Sequence, residues 1–234
     1  MEVQIAVAKT NKYAVSESGD TLEVIERPNG GLSVVLADGQ TSGRGAKTVS
    51  GLVVRKVISL LAEGVRDGAA ARAASDSLFT ERQGKVSCTL NIASIDLMTR
   101  TLVLTRNNPV PIHIYNGESI DTLQDDSSPL GIRRGIRPII NELNLVTGLT
   151  VVMYTDGLVH AGKRKGQPMD ICTNLQSLME EQDPPPQEVA DMLLDQAIQL
   201  DDGRPADDMS IVILKVIPRS GDDVRRMMVR LPIN

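Results

Sequence analysis

Along the first forty residues, apolar positions come in short blocks separated by turn-formers. Residues 2–8 alternate closely enough to predict a first strand, and polar Lys9-Thr10-Asn11-Lys12 follows as a loop. Leu22 to Glu26 and Ser33 to Ala37 are two further runs of strand length. Arg27-Pro28-Asn29-Gly30-Gly31 joins them as a strong turn, so they form a hairpin. After Gly43 the period changes: Ala46, Val49, Leu52, Val53, Val57, Leu60 and Leu61 recur at helical spacing up to Gly64, and Ala69 to Phe79 repeats the pattern. These two segments predict an antiparallel helix pair. From Val86 the period returns to two, predicting strands at Cys88–Ile95, Thr101–Thr105 and Pro111–Tyr115 in a meander that Asn116-Gly117 closes. Residues 121–140 read as irregular, and Asn141–Leu145 with Leu149–Tyr154 reads as a second hairpin. Helices over Ile171–Glu181 and Pro186–Leu200 and a last strand over Met209–Val216 complete the pattern. Runs of strands alternating with pairs of helices predict an α+β layered sandwich rather than a doubly wound parallel sheet. No repeat, linker or break in composition divides the chain. The expectation is one domain over 1–234, with a core of about 2–217 and a C-terminal tail over 218–234.

The chemistry lies where these strands stop. Val34-Val35-Leu36-Ala37 runs into Asp38-Gly39, Val151-Val152-Met153-Tyr154 runs through Thr155 into Asp156-Gly157, and Asp207-Asp208 immediately precedes the last strand. In the hairpin, Asp20 starts the strand whose antiparallel neighbour ends at Asp38, which puts both carboxylates at one sheet edge. Asp-Gly alone is an ordinary turn signal. Four such acids brought together repel one another unless cations lie between them, so the set implies metal. Carboxylates, carbonyls and water are the hard ligands that suit Mg²⁺ and Mn²⁺, and a glycine after Asp38 lets a backbone carbonyl approach the same ion. The candidate metal set is therefore Asp20, Asp38, Gly39, Asp156 and Asp207. His113 and His160 read as packed or surface side chains.

Composition removes other classes. A net charge of −5 argues against nucleic acid as the main partner. The two cysteines, Cys88 and Cys172, are too far apart for a zinc motif or a disulfide framework. The N-terminus has no basic segment followed by an apolar one, and no apolar run reaches membrane length, so no membrane partner is expected and the location read from the sequence is cytoplasmic. Aromatic residues are only 2% of the chain, which leaves the core to Val, Ile, Leu, Met and Ala.

Ser18-Gly19-Asp20, Val35-Leu36-Ala37-Asp38-Gly39, Tyr154-Thr155-Asp156-Gly157-Leu158 and Asp207-Asp208-Met209-Ser210 stand in an order that resembles the protein phosphatase 2C superfamily, in its bacterial sporulation stage II E (SpoIIE) subgroup. Arg106-Asn107-Asn108-Pro109 and Pro129-Leu130-Gly131 resemble the signatures between them, and the resemblance spans about residues 5–216. It implies a four-layer αββα sandwich of two stacked, mainly antiparallel sheets flanked by helix pairs, with two divalent cations, Mn²⁺ or Mg²⁺, at one end. It also implies a protein serine/threonine phosphatase in which hydroxide held on the two ions attacks phosphoserine or phosphothreonine in line, with Asp38, Asp156 and Asp207 as the catalytic acids. Asp38 resembles the carboxylate that bridges both ions, and Gly39 supplies the carbonyl ligand. Asp156 and Asp207 match the downstream ligands, and Asp20 an upstream acid that acts through water. Asp208 is read as the start of the last strand.

Two departures fit the bacterial subgroup: Gln40 stands where eukaryotic relatives carry His, and no Arg precedes Asp20 to clamp phosphate, leaving Lys9 and Lys12 as loose candidates. A chain of this size leaves no room for an attached sensor, which resembles the free-standing phosphatases of stress signalling. That implies a phosphorylated STAS-domain partner, either a stressosome scaffold or an anti-sigma-factor antagonist, and a monomeric enzyme. A haloacid-dehalogenase reading fails because Leu36 and Gln40 fill the places of its second acid. A non-catalytic interaction protein on the same scaffold stays open. The basic loop Lys163-Arg164-Lys165 and the Arg-rich tail are candidate docking elements, although charged loops are ordinarily only solvated.

Overall fold

Strand β3 (Leu32–Gly39) shows why the chain folds in layers. Every residue from Ser33 to Ala37 is buried, so neither face of the strand meets water. Val34 and Leu36 point into the centre of the molecule while Val35 and Ala37 point toward a helix pair. A strand covered on both faces reads as a continuous apolar run, and this one does.

The computed structural model describes residues 1–219 and 221–232; positions 220, 233 and 234 of the expected tail lie outside the described residues. One five-stranded sheet has the order β1-β10-β9-β6-β7, formed by β1 (Glu2–Thr10), β10 (Met209–Ile217), β9 (Thr150–Tyr154), β6 (Ile112–Tyr115) and β7 (Ile120–Leu123). The second has the order β2-β3-β4-β5-β8, with β2 (Asp20–Glu26), β4 (Cys88–Asp96), β5 (Thr101–Asn107) and β8 (Ile139–Asn144) around β3. All the ladders in both sheets are antiparallel.

Three apolar interfaces separate four layers. Between the sheets, Val34, Leu36 and Leu104 meet Val151, Met153 and Val212. Outside the second sheet, α1 (Gly43–Ala62) and α2 (Asp67–Arg82) bring Val53, Val57 and Ala74 onto Val35 and Ile92. Outside the first, α4 (Ile171–Glu181) and α5 (Pro186–Leu200) bring Leu175, Val189 and Leu193 onto Val152 and Ile213. The expected αββα sandwich is the observed one. A fifth, short helix, α3 (Asp156–His160), follows β9.

The connections differ from the expectation in two places. The strand at Ile112–Tyr115 does not continue a meander from β4 and β5; it belongs to the other sheet, paired with β9 and with β7, which the sequence left as irregular. Arg106-Asn107-Asn108-Pro109 makes that crossing. The buried Arg106 guanidinium donates to the carbonyls of Asn108 (3.1 Å) and Asp125 (2.7 Å), and Asn108 Oδ1 accepts from Val110 N at 2.9 Å. Asn141–Leu145 and Leu149–Tyr154 likewise do not form a hairpin, because β8 pairs with β5 and β9 with β10. Their short link steps between sheets: Leu145 N donates to Arg100 O at 2.9 Å in one, and Gly148 N to Val216 O at 2.8 Å in the other.

Candidate active site

Both sheets deliver carboxylates to the same rim. In the second sheet Asp20 is the register partner of Asp38, so the hairpin sets the two acids side by side at the start of β2 and the end of β3. In the first sheet Tyr154 pairs with Ile211, which brings Asp156, just beyond β9, level with the start of β10 and with Asp207 before it. Two glycines allow the close approach. A Cβ on Gly39 would run into the backbone carbonyl of Ala46 in α1, and one on Gly157 into the carbonyl of Asp208. Gly39 has no left-handed φ, so the strand end needs glycine for the space that α1 occupies.

Asp20 ties the sheets together at this rim. Its side chain is buried, and Oδ2 accepts from Thr155 Oγ1 at 3.0 Å and Ser210 Oγ at 2.6 Å, both from the opposite sheet. Oδ1 is equally buried and, among the described residues, has only the carboxyl of Asp38 beside it. Lys9 Nζ (2.7 Å) and Lys47 Nζ (2.9 Å) converge on the main-chain oxygen of Asp20, placing two ammonium groups beside the acids. Burial, and then the charge of Lys47, lowers the pKa of Lys9.

Asp38 lies at the meeting point. Burial, then the charges of Asp20 and Asp156, then a hydrogen bond with the Asp20 side chain and the charge of Asp207, push its carboxyl up to about 9. Burial raises Asp20 as well, and it raises Asp156 against the opposing pull of His160. Asp156, His160 and Asp207 offer ligand atoms that all lie within 4.8 Å of one another, with His160 Nδ1 3.8 Å from Asp156 Oδ2. Asp20 and Asp38 are thus paired in register, Asp156 and Asp207 share ligand distance with His160 but not with that pair, and the charges of all three other acids reach Asp38.

The neighbouring Asp208 has a different task. Its Oδ1 accepts from Lys12 N and its Oδ2 from Gly19 N, each at 2.9 Å, so it pins both ends of the loop between β1 and β2. Gln40 is also structural, its Oε1 accepting from Ser87 N at 2.9 Å. His113 is a packed residue, hydrogen bonded to Tyr154 (2.8 Å) and Thr122 (3.0 Å). His160, a half-exposed side chain, also offers a ring nitrogen to the group of Asp156 and Asp207. Its signal was the four-residue spacing from Asp156 in a short helix. Thr155, Ser210 and Lys47 carried no signal of their own, because single hydroxyls and lysines reveal their partners only in three dimensions.

Two sheets stacked between helix pairs, with acids from both sheets at one end, define the fold of protein phosphatase 2C domains. The solved PP2C phosphatase domain of SpoIIE from Bacillus subtilis, with a fragment of its regulatory domain, superposes with a TM-score of 0.81 at 21% identity, covering 94% of this chain and 64% of that one. The RsbU and RsbW domains of a Mycobacterium tuberculosis protein superpose at 0.74 with 17% identity, over 94% and 61% of the two chains. The family model of Stage II sporulation protein E (SpoIIE) matches residues 28–217, and the chain belongs to that family. Stage II sporulation protein E of Priestia megaterium is 25% identical over 215 residues, 92% of this chain, and the chain spans 36% of that relative's length.

Proposed function

We propose that this protein is a metal-dependent protein serine/threonine phosphatase that hydrolyses phosphoserine or phosphothreonine on a phosphorylated STAS-domain signalling protein in the cytoplasm. The observation that carries the reading is Asp38, a carboxyl that burial and the charges of Asp20, Asp156 and Asp207 hold up to about 9, with the Asp20 side chain beside it in register. Such an arrangement fits divalent cations and little else. Carboxylate oxygens, one carbonyl and one imidazole are a donor set suited to Mn²⁺ or Mg²⁺. Asp38, the Gly39 carbonyl, Asp156 and Asp207 would hold the ions, with Asp20 acting through water and His160 in reach. When bound, they supply positive charge against the phosphoryl oxygens and a water of lowered pKa.

The protein's own residues orient and hold. Thr155 and Ser210 fix one oxygen of Asp20 so that the other is presented to the centre. Lys9 and Lys47 add positive charge at the rim, where no arginine precedes Asp20 in the sequence. Gln40, tied to Ser87, takes no part in proton transfer.

Within this reading the substrate is a stressosome scaffold protein, as for the free-standing phosphatase RsbX that the chain resembles. A second reading, an anti-sigma-factor antagonist, is favoured by the RsbU-containing neighbour of the same fold. Membership of the SpoIIE family supports both. No helix among the described residues is long and apolar enough to cross a membrane.

The test is hydrolysis of p-nitrophenyl phosphate. Turnover is expected with Mn²⁺ or Mg²⁺, none with EDTA, and a fall of roughly 10³-fold in Asp38→Asn and Asp156→Asn. A folded protein with no metal-dependent turnover, on this compound or on phosphorylated STAS proteins, would identify a non-catalytic scaffold instead.

A further inference from the structure

A basic cleft opens beside the acid rim. It has a volume of about 440 Å³ and lies between the turn at Lys163–Lys165 and the turn at Asp201–Arg204. We propose that this cleft docks an acidic segment of the phosphoprotein, next to the phosphorylated residue in its sequence. The proposal rests on the phosphatase reading and adds to it the kind of polypeptide that the enzyme accepts.

The charges in the cleft are unequal in their availability. Its two acids are already engaged: Asp201 accepts from Gly162 N (3.0 Å) and Ala206 N (2.8 Å), and Asp202 is paired with Lys165. Lys163, Arg164 and Arg204 are exposed, and among the described residues none of the three forms a salt bridge. Arg164, Lys165 and Arg204 line the cleft against Asp201 and Asp202, with Lys163 just outside it, a local positive balance that runs against the net charge of −5. An acidic segment approaching this chain is repelled by its net charge and attracted to basic patches such as this one.

The cleft is also fixed to the site. Lys163 stands seven positions after Asp156 and Arg204 three before Asp207, so the two turns are the outward continuations of the segments that carry those acids. Asp201 braces one turn against the other through its two backbone contacts. The charge of Lys163 is felt at Asp156.

Beside the cleft, the Arg204 guanidinium lies over the Tyr13 ring, 5.3 Å from its centroid. Tyr13 is 56% exposed, and its amide donates to Pro205 O at 2.9 Å. An exposed tyrosine stacked with an arginine on bonded loops is the composition of a protein-binding hot spot. A nucleic acid is the wrong occupant, since its evenly charged backbone would have to cross the four carboxylates of the rim.

The test compares two synthetic phosphoserine peptides, one flanked by glutamates and the other by glutamines at the same positions. In low salt, kcat/KM is expected to be about tenfold higher for the glutamate peptide, and the ratio should fall toward one at high salt. Arg164→Glu combined with Arg204→Glu should bring the ratio to one or below, as should the milder Arg164→Gln with Arg204→Gln. Equal kcat/KM for the two peptides in the wild-type protein, or a preference that survives in both double variants, overturns the proposal. Fluorescence anisotropy with the same labelled peptides gives a readout independent of turnover. If neither p-nitrophenyl phosphate nor either phosphoserine peptide nor a phosphorylated STAS protein is hydrolysed with Mn²⁺ or Mg²⁺, the phosphatase reading fails. Tighter binding of the glutamate peptide, lost in the double variants, would still support the cleft, and equal binding would overturn it.

Discussion

The two ends of strand β10 bury charge in opposite ways. Near its C-terminal end, Lys215 is 4% exposed and all three of its protons are matched, by Asp183 Oδ1 (2.7 Å), Asp183 O (3.1 Å) and Pro184 O (2.7 Å). Around its N-terminal end, Asp20 is 1% exposed with one oxygen matched twice and the other left, among the described residues, with only the carboxyl of Asp38 beside it, and Asp38 is crowded by carboxylates. A buried charge whose partners all come from the chain holds the chain in shape. One whose lone pairs are left open, among groups of its own sign, costs stability until a counter-charge arrives from solution. The first end locks the turn between α4 and α5, and the second is a receptacle.

The sharpest way to test this contrast is to exchange the fates of two adjacent residues. Asp207 faces the open centre, whereas Asp208 is spent on Lys12 N and Gly19 N. Asp207→Asn should lower metal-dependent turnover by roughly 10²-fold or more while leaving the melting temperature of the metal-free protein unchanged or slightly raised. Asp208→Asn turns one acceptor into a donor that faces a backbone N–H. It should cost about 2 kcal/mol, a fall of about 6 °C in melting temperature. Equal melting losses in the two variants would erase the distinction.

At the other end of the strand, Lys215→Met keeps most of the buried volume and strands the acceptors around it. Asp183 is largely exposed and can turn to water, so the loss is chiefly that of Pro184 O, about 1–1.5 kcal/mol or roughly 3–5 °C. Turnover per folded molecule should be unchanged, because the anchor is part of the frame and not of the centre. A large loss of turnover at constant stability would mean that the two ends are coupled.

How much of this was legible in the sequence depends on the range of the contact. The Asp20–Asp38 pair was readable because Arg27-Pro28-Asn29-Gly30-Gly31 fixes the hairpin register locally, and the apolar runs flanking it show which segments are buried. The layers were readable for the same reason, since helix pairs and strand runs announce themselves by period. Sheet membership was not. Leu145 and Leu149 look like the two sides of a hairpin, yet the link between them bonds to Arg100 in one sheet and Val216 in the other. Strand β7, Ile120-Asp121-Thr122-Leu123, is an edge strand with no fully buried position and so too weak a pattern to stand out. At the site, the acids were visible through their Gly and strand contexts. The hydroxyls that orient Asp20 come from positions 155 and 210, and no local pattern distinguishes them from any other Thr or Ser.

The smallest effect is the most direct measure of the receptacle. In the metal-free protein Asp38 holds its proton up to about 9, and Asp20 and Asp156 are raised by burial, whereas the same groups in the unfolded chain ionise near 3.8. The folded state therefore binds more protons across that interval. The stability these carboxyls contribute is complete below pH 4 and is lost as the pH climbs toward 9. Melting of the EDTA-treated protein should fall by about 3 °C between pH 5.5 and 8.5, equivalent to roughly 1 kcal/mol, after allowing for the partial exposure of the rim. Asp38→Asn should flatten that slope. Excess Mn²⁺ should reverse it, because cation binding requires the carboxylates ionised and so strengthens as protons leave. A metal-free protein whose melting temperature rises over the same interval would show that the acids are already compensated within the chain, and that this end of β10 does not differ from the other.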